Sequence, residues 1–376
     1  MIRTRNRAPT RSARTSFRAR LVKAARTEPG RIRRVLVLAL PTVWGAVAIS
    51  YKLACPLAQQ TGLGARIVSS VVFFAVGTGL ILHVRQGLLR ELREIRAVAG
   101  AAQNVLIRPL PPRLDGLALA AGQLSADRGA SVGGDLYDVV ATDHGVRVVM
   151  GDVRGHGLAA LATVGAVLGS FREAAHDEPE LGRVLRRLER AHARHLRQRS
   201  RDEHPATLGA EPDHPLAEEF VTVLLLEIRP DGAVHALNCG HPWPYLLRPG
   251  AERCVEPLTG GDPMPPLGPF PLPAELVPVR CGRVLPGEGL LLHTDGIEDA
   301  RDAHGRFFPL QSTLTDVVRR RTVVPQAVLH AVYGRLLRHI GGLPSDDAAV
   351  LVLRNDRRRV PVQSGEPVVR TAHKVL

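Results

Sequence analysis

Two long uncharged runs stand near the start of the chain. Val35–Tyr51 is seventeen residues without a charge, and its apolar character continues to Cys55; Ile67–Val84 is a second run, of eighteen. A membrane-spanning helix needs about 20 apolar residues, within a range of about 17–25. Both runs sit at the short end of that range, and both are too long for a core strand. Between them, Cys55-Pro56-Leu57, Gly62 and Gly64 break the helix and supply a turn. The pattern predicts a transmembrane hairpin over residues 35–84, with Pro41 tolerated inside the first span. A signal peptide fits less well, because its apolar stretch runs to about 7–15 residues. Lys52, three residues before Cys55, also spoils a lipoprotein cleavage box.

Past the second run the period changes. Leu88, Leu92, Ile95, Ala99, Ala102 and Leu106 recur at alternating spacings of 4 and 3. That seam predicts a linker helix within residues 85–112, ended by Pro109, Pro111 and Pro112. The seam fits either a short coiled coil with a second copy of the chain or a helix packed on its own following domain. From residue 113 the texture becomes short apolar segments separated by turns. Strands are predicted at Leu117–Gly122, Asp138–Ala141, Val146–Met150, Phe220–Ile228, Val234–Asn238, Tyr245–Arg248, Leu276–Arg280, Leu290–His293 and Ala348–Leu353. Helices are predicted at Gly157–Ala175, Leu181–Leu196 and Pro325–Ile340, with a polar loop over residues 200–218. Many strands with a few clustered helices give an α+β class, a β-sandwich flanked by helices, over residues 113–355. A basic tail, 356–376, follows.

Charge changes the picture at one end only. Residues 1–34 hold twelve Arg and Lys against the single acid Glu28, and carry +11 of the chain's +14. The basic character therefore belongs to a tail, read as unstructured, and not to the body. With only 4% aromatic residues, nucleic acid is not an expected partner. The loop between the apolar runs holds only Lys52 and Arg66, whereas Arg85, Arg90, Arg93 and Arg96 follow the second run. The positive-inside rule then puts both termini and the folded domain in the cytoplasm of a multi-pass cell-membrane protein. The basic tail also suits contact with anionic membrane lipid. Four widely spaced cysteines with no Cys-x-x-Cys exclude a disulfide framework and a zinc ribbon.

Four acidic motifs fall at strand ends or turns. They are Gly133-Gly134-Asp135-Leu136-Tyr137-Asp138, Gly151-Asp152-Val153-Arg154-Gly155-His156-Gly157, His293-Thr294-Asp295-Gly296 and Ser345-Asp346-Asp347. Each alone reads as a turn. Carboxylates that converge at the ends of neighbouring strands repel one another and call for a cation, and an all-oxygen set favours Mg²⁺ or Mn²⁺.

This ordered set, with NCGHPWPYLL at 238–247 and the extended segments LLHTDGIEDARD and SDDAAVLVL, resembles the metal-dependent protein phosphatases of type 2C. The branch it is most similar to is the bacterial SpoIIE/RsbU-like serine phosphatases, over roughly residues 113–354. Motif by motif, the resemblance implies catalytic roles for Asp135 and Asp152. It implies a metal-ligand set of Asp135, Asp152 as the bridging carboxylate, the carbonyl of Val153, Asp295 and Asp346. Asp347 is the neighbour that replaces Asp346 in an alternative register. The implied cofactors are two divalent ions, Mn²⁺ or Mg²⁺, which activate a water for in-line attack on phosphorus. The implied substrate is a phosphorylated regulator, often a STAS-domain anti-anti-sigma factor.

The chain departs from the family pattern in places. Cys239 stands where Ala is usual, and Phe307-Phe308 where Phe-Gly is usual. His156 lies four residues after Asp152, not two, which weakens a general-acid role. Arg154 is the candidate phosphate-gripping residue on motif position. The Gly-Gly-Asp of a diguanylate cyclase would continue Glu-Phe, and here it continues Leu-Tyr-Asp. Two functions stay open: a membrane-tethered serine/threonine phosphatase, favoured because all four acidic motifs are intact, and a non-catalytic signalling scaffold on the same fold.

Overall fold

The structure, a computed structural model, describes residues 63–124, 133–155, 157–203, 219–319, 322–342, 344 and 346–357, with Trp44, Gly45, Val47 and Ser50. The chain divides into two compact units, Met1–Glu94 and Ile95–Leu376. Most of the first apolar run, the N-terminal basic tail and the C-terminal tail beyond Arg357 lie outside the described residues.

The second apolar run and the linker form one helix, α1, Leu63–Leu106, rather than a span followed by a separate element. No breaker interrupts residues 65–106 apart from isolated glycines, so the backbone hydrogen bonds run through. Its segment Ser70–Gly87 is apolar enough to cross a membrane and buries none of its residues. In the same unit the Trp44 ring lies 5.4 Å from that of Phe73, so the described piece of the first run touches the second. Side chains of the seam from Leu88 to Ala102 lie outside the described residues. Its last member, Leu106, belongs to the second unit, where it is half-buried and faces Gly165.

The second unit stacks two antiparallel sheets. One has the order β1-β2-β11-β10-β7-β8 and the other β3-β4-β5-β6-β9. The first contains β1 (Arg113–Leu114), β2 (Leu117–Leu124), β7 (Tyr245–Leu247), β8 (Val255–Pro257), β10 (Gly289–His293) and β11 (Ala348–Asn355). The second contains β3 (Asp135–Thr142), β4 (Gly145–Val153), β5 (Val221–Ile228), β6 (Ala233–Cys239) and β9 (Val279–Arg283). Helices α2 (Leu158–Asp177) and α3 (Leu181–Glu203) cover the second sheet. Helices α5 (Leu310–Val318) and α6 (Pro325–Ile340) cover the first, while α4 (Asp295–Glu298) is a single turn after β10. The central strands are therefore buried on both faces. That is why residues 148–150 of β4 and residues 223–226 of β5 are continuously apolar instead of alternating. The helix α2 also passes the length and apolarity test for a membrane span, but half of it is buried on this sheet, so it is a core helix.

Several boundaries move, among them the start of β3, predicted at Asp138 and found at Asp135. The strand predicted at Leu276–Arg280 pairs only over Val279–Arg283; Pro278 has no N–H to give, and pairing begins after it. The polar segment predicted from residue 200 is helical through Glu203, and residues 204–218 lie outside the described residues. Helix α6 has the predicted bounds, with Pro at its first turn and Gly341 closing it.

One buried charge ties the helices to the sheet. Arg147, in the middle of β4, is wholly buried. Its guanidinium donates to Glu227 Oε2 on β5 at 2.9 Å, to the carbonyl of Ala175 at 2.9 Å and to that of Pro179 at 2.7 Å. It also bonds the carbonyl of Glu178. The fork thus satisfies the orphan carbonyls where α2 ends and α3 begins.

Candidate active site

The acidic motifs meet at one end of the sandwich, two from each sheet. In the second sheet, β3 and β4 pair so that Asp135 stands opposite Asp152. In the first, β10 ends at His293 and β11 begins at Ala348, its antiparallel neighbour. Asp295 therefore leaves one strand beside the point where Asp346 and Asp347 enter the next.

Glycine at the motif positions is what lets these chains close in. A Cβ on Gly134 would overlap the carbonyl oxygen of Val153 and sit 2.7 Å from Asp152 Oδ1. A Cβ on Gly296 would collide with the carbonyl oxygen of Asp347. Any side chain there would force the carboxylate-bearing segments apart. The adjacent Gly133 lies against the Asp347 carboxylate itself.

The two sheets are stitched at the site by Thr294. Its hydroxyl donates to Asp135 Oδ2 at 3.2 Å and accepts from the Ala349 N–H at 2.9 Å. Behind Asp152, the Thr222 hydroxyl on β5 accepts from the Asp152 N–H at 3.2 Å and lies 3.0 Å from His241 Nδ1. His241 is held in turn by Asn238, through the amide donating to the His241 carbonyl and the amide oxygen accepting the His241 N–H, both at 2.8 Å. Burial pushes the His241 imidazole down to about 3, so it is a neutral spacer. The NCGH turn thus supports the site from behind. His241 stabilises its turn as its place in the NCGH motif suggests, but its bond to Thr222, and those of Thr222 to Asp152 and of Thr294 to Asp135, join segments far apart in sequence and are not evident from the motifs.

Electrostatics reflect the crowding. Burial raises the Asp135 carboxyl well above its ordinary value, and the charges of Asp152, Asp347 and Asp295 raise it further. Asp152 is pushed to about 7, by burial first and then by Asp295, Asp346 and Asp347. Asp295 is raised by burial and by Asp346 and Asp299. Asp346 is exposed and Asp347 buried, and both act on Asp152, so the pair enters the cluster together. The Val153 carbonyl borders it through Gly134. Arg154 is exposed just beyond, its guanidinium 5.3 Å from the Phe220 ring centroid. His156 lies outside the described residues.

Among the described residues no three Asp, Glu, His or Cys side chains already form a closed metal cage. The donor set nonetheless fits a hard cation. It is all oxygen, it is desolvated, and the charges weighing on Asp135 and Asp152 are other carboxylates. This gives a stability test. A carboxyl raised in the folded state favours folding when protonated, so the contribution of Asp152 is full below its ordinary value of 3.8 and lost as pH rises through about 7. The metal-free chain should melt at progressively lower temperature across that window, and Asp152→Asn should flatten the slope. Mn²⁺ should raise the melting temperature more at pH 7.5 than at pH 5. An equal metal effect at both would contradict this charge balance.

Comparison with known proteins places this arrangement. The sequence profile of the family described as Stage II sporulation protein E (SpoIIE) matches residues 142–356. Among solved structures, the SiaA-PP2C domain of Pseudomonas aeruginosa is similar with a TM-score of 0.53 at 18% identity, over 71% of this chain and 98% of that one. The RsbU and RsbW domains of Rv1364c from Mycobacterium tuberculosis match at 23% identity and a TM-score of 0.43, over 64% of this chain and 61% of theirs. The PP2C phosphatase domain and regulatory-domain fragment of SpoIIE from Bacillus subtilis match at 15% identity and a TM-score of 0.46, over 63% and 62%. This chain thus spans less than two thirds of the latter two. The profile match extends over more than half of the residues and ends just past the last strand, so the chain belongs to the SpoIIE family, and its second unit has a PP2C-like fold.

Proposed function

We propose that the chain is a membrane-anchored, divalent-metal-dependent protein serine/threonine phosphatase acting on a phosphorylated regulatory protein. The observation that carries this reading is the convergence of Asp135, Asp152, Asp295, Asp346 and Asp347 from both sheets. A scaffold that had lost catalysis would have no reason to keep five mutually repelling carboxylates, which cost stability at neutral pH. Asp135, Asp152, Asp295, the Asp346-Asp347 pair and the Val153 carbonyl would hold two ions, Mn²⁺ or Mg²⁺. When bound, such ions supply Lewis-acid stabilisation of a transferring phosphoryl group and activation of a water. The protein's part is to fix the carboxylates: Thr294 orients Asp135, and the Thr222–His241 pair backs Asp152. Arg154, two residues after Asp152 and exposed, would meet a phosphoryl oxygen of the substrate.

The finer assignments follow from the sequence and the family. A STAS-type anti-anti-sigma factor is the proposed substrate, in keeping with the regulatory setting of SpoIIE-type domains. The apolar runs 35–51 and 67–84 form the anchor, with the catalytic unit on the cytoplasmic side. The upper turns of the linker seam pair with a second copy, while Leu106 stays on its own domain. The decisive experiment is hydrolysis of p-nitrophenyl phosphate by the purified full chain. Turnover should appear with Mn²⁺ and vanish with chelator; no metal-stimulated turnover, with a correctly folded protein, would leave the scaffold reading.

A further inference from the structure

Helix α3 has two chemically opposite faces. Leu181, Val184, Leu185, Leu188 and Ala191 are buried in the catalytic unit. Arg183, Arg190, Arg194, Arg197 and Arg201 are exposed. At about 100° per residue these five fall within an arc of about 60°, in a row about 27 Å long. Among the described residues the acid paired with Arg183 is the exposed Glu180, at 3.3 Å. Among the described residues no acid pairs with Arg190, Arg194, Arg197 or Arg201. The acid next to Arg190, Glu189, is drawn off to Arg186 and to the N–H of Leu272.

Such a row does not help the helix form. Arg190, Arg194, Arg197 and Arg201 are spaced by 4, 3 and 4 residues, and like charges at those spacings destabilise a helix. Burial of the opposite face holds α3 in place regardless. The arginines therefore suit something outside the unit. Arg190 and Arg194 border a groove between α2 and α3, but the Glu173 and Glu178 carboxylates that also line it disfavour a small anion there, and a row about 27 Å long outreaches one. The row meets an extended, flat anionic surface along its whole length, and guanidinium is the group best matched to phosphate oxygens. The apolar segment of α1 ends at Gly87, eight residues before the second unit begins at Ile95. A tether that short makes a membrane surface the anionic partner at highest effective concentration.

We propose that the arginine row of α3 seats the catalytic unit on anionic phospholipid headgroups. The proposal rests on the anchoring reading above and extends it from the tail to the enzyme domain.

The test uses the full chain in nanodiscs of phosphatidylcholine alone or with 30% phosphatidylglycerol. Phenylglyoxal modification of each arginine is followed by mass spectrometry, with exposed Arg253 as the internal control. The anionic lipid should slow modification of Arg190, Arg194 and Arg197 at least threefold and leave Arg253 unchanged. High salt should remove the protection, because the Debye length falls from about 10 Å at 0.1 M to about 3 Å at 1 M. In an Arg190→Gln, Arg194→Gln, Arg197→Gln chain, protection of Arg183 and Arg201 should drop as well. Equal rates on both lipids, in a chain that co-elutes with both discs, would overturn the proposal while leaving the anchor intact. A chain that co-elutes with neither disc would overturn both. Protection by an added poly-glutamate peptide but not by phosphatidylglycerol would reassign the row to an acidic protein partner and overturn the lipid proposal.

Discussion

Asp152→Asn and Asp295→Asn are each expected to lower metal-stimulated phosphatase turnover by at least about 100-fold, by weakening divalent-metal binding. The amide keeps the shape of the carboxylate but removes the charge. At position 152 that loss is felt by Asp135, whose carboxyl the Asp152 charge raises. At position 295 it is felt by Asp152, for which Asp295 is the strongest of the acting charges. Both variants should fold, and metal-free they should be at least as stable as the parent at neutral pH, because each removes a repelling charge. Activity and stability thus move in opposite directions, which separates loss of the site from loss of the fold. Turnover within tenfold of the parent for both variants would sink the two-metal assignment.

Arg147→Met should cause the largest loss of stability from a single change, about 3–5 kcal/mol by chemical denaturation. The substitution strands the Glu227 carboxylate, 6% exposed, with Arg229, at 3.2 Å, as its remaining partner among the described residues. It also leaves the carbonyls of Ala175, Glu178 and Pro179 without their shared donor. Half of a buried ion pair is worse than none. Adding Glu227→Leu to the same chain should therefore recover part of the loss, since the remaining hole is apolar. A single variant within about 1 kcal/mol of the parent would mean that the carbonyls find water instead. The acidic cluster lies at the far end of β4, at Asp152, so metal binding by whatever fraction stays folded should be unaffected.

These two sites differ in how far the sequence reveals them. The acidic motifs are legible because each is a local device. Gly-Gly-Asp, Gly-Asp-Val and Thr-Asp-Gly combine a strand terminus, a glycine and a carboxylate within a few residues. Arg147 carries no such mark. It sits in Val146–Met150, an otherwise apolar strand, and its carboxylate partner is 80 residues away. Nothing in the local pattern separates a buried, fully bonded arginine from an edge-strand charge.

The chain by itself determined the class of fold, the approximate places of most strands, the bounds of α6 and the four acidic motifs, because pleat period, helical period and turn chemistry act over a few residues. Its uncharged runs and charge asymmetry likewise set the proposed anchor. Only the tertiary structure decided that α1 runs unbroken to Leu106 and that β9 starts after Pro278. It also decided that Asp346 and Asp347 enter the cluster together, and that Thr294 bonds Asp135 across 159 residues. Those outcomes depend on which strand ends two packed sheets bring together, and how closely glycine lets them approach, a choice made by burial across the whole domain rather than by any window of sequence.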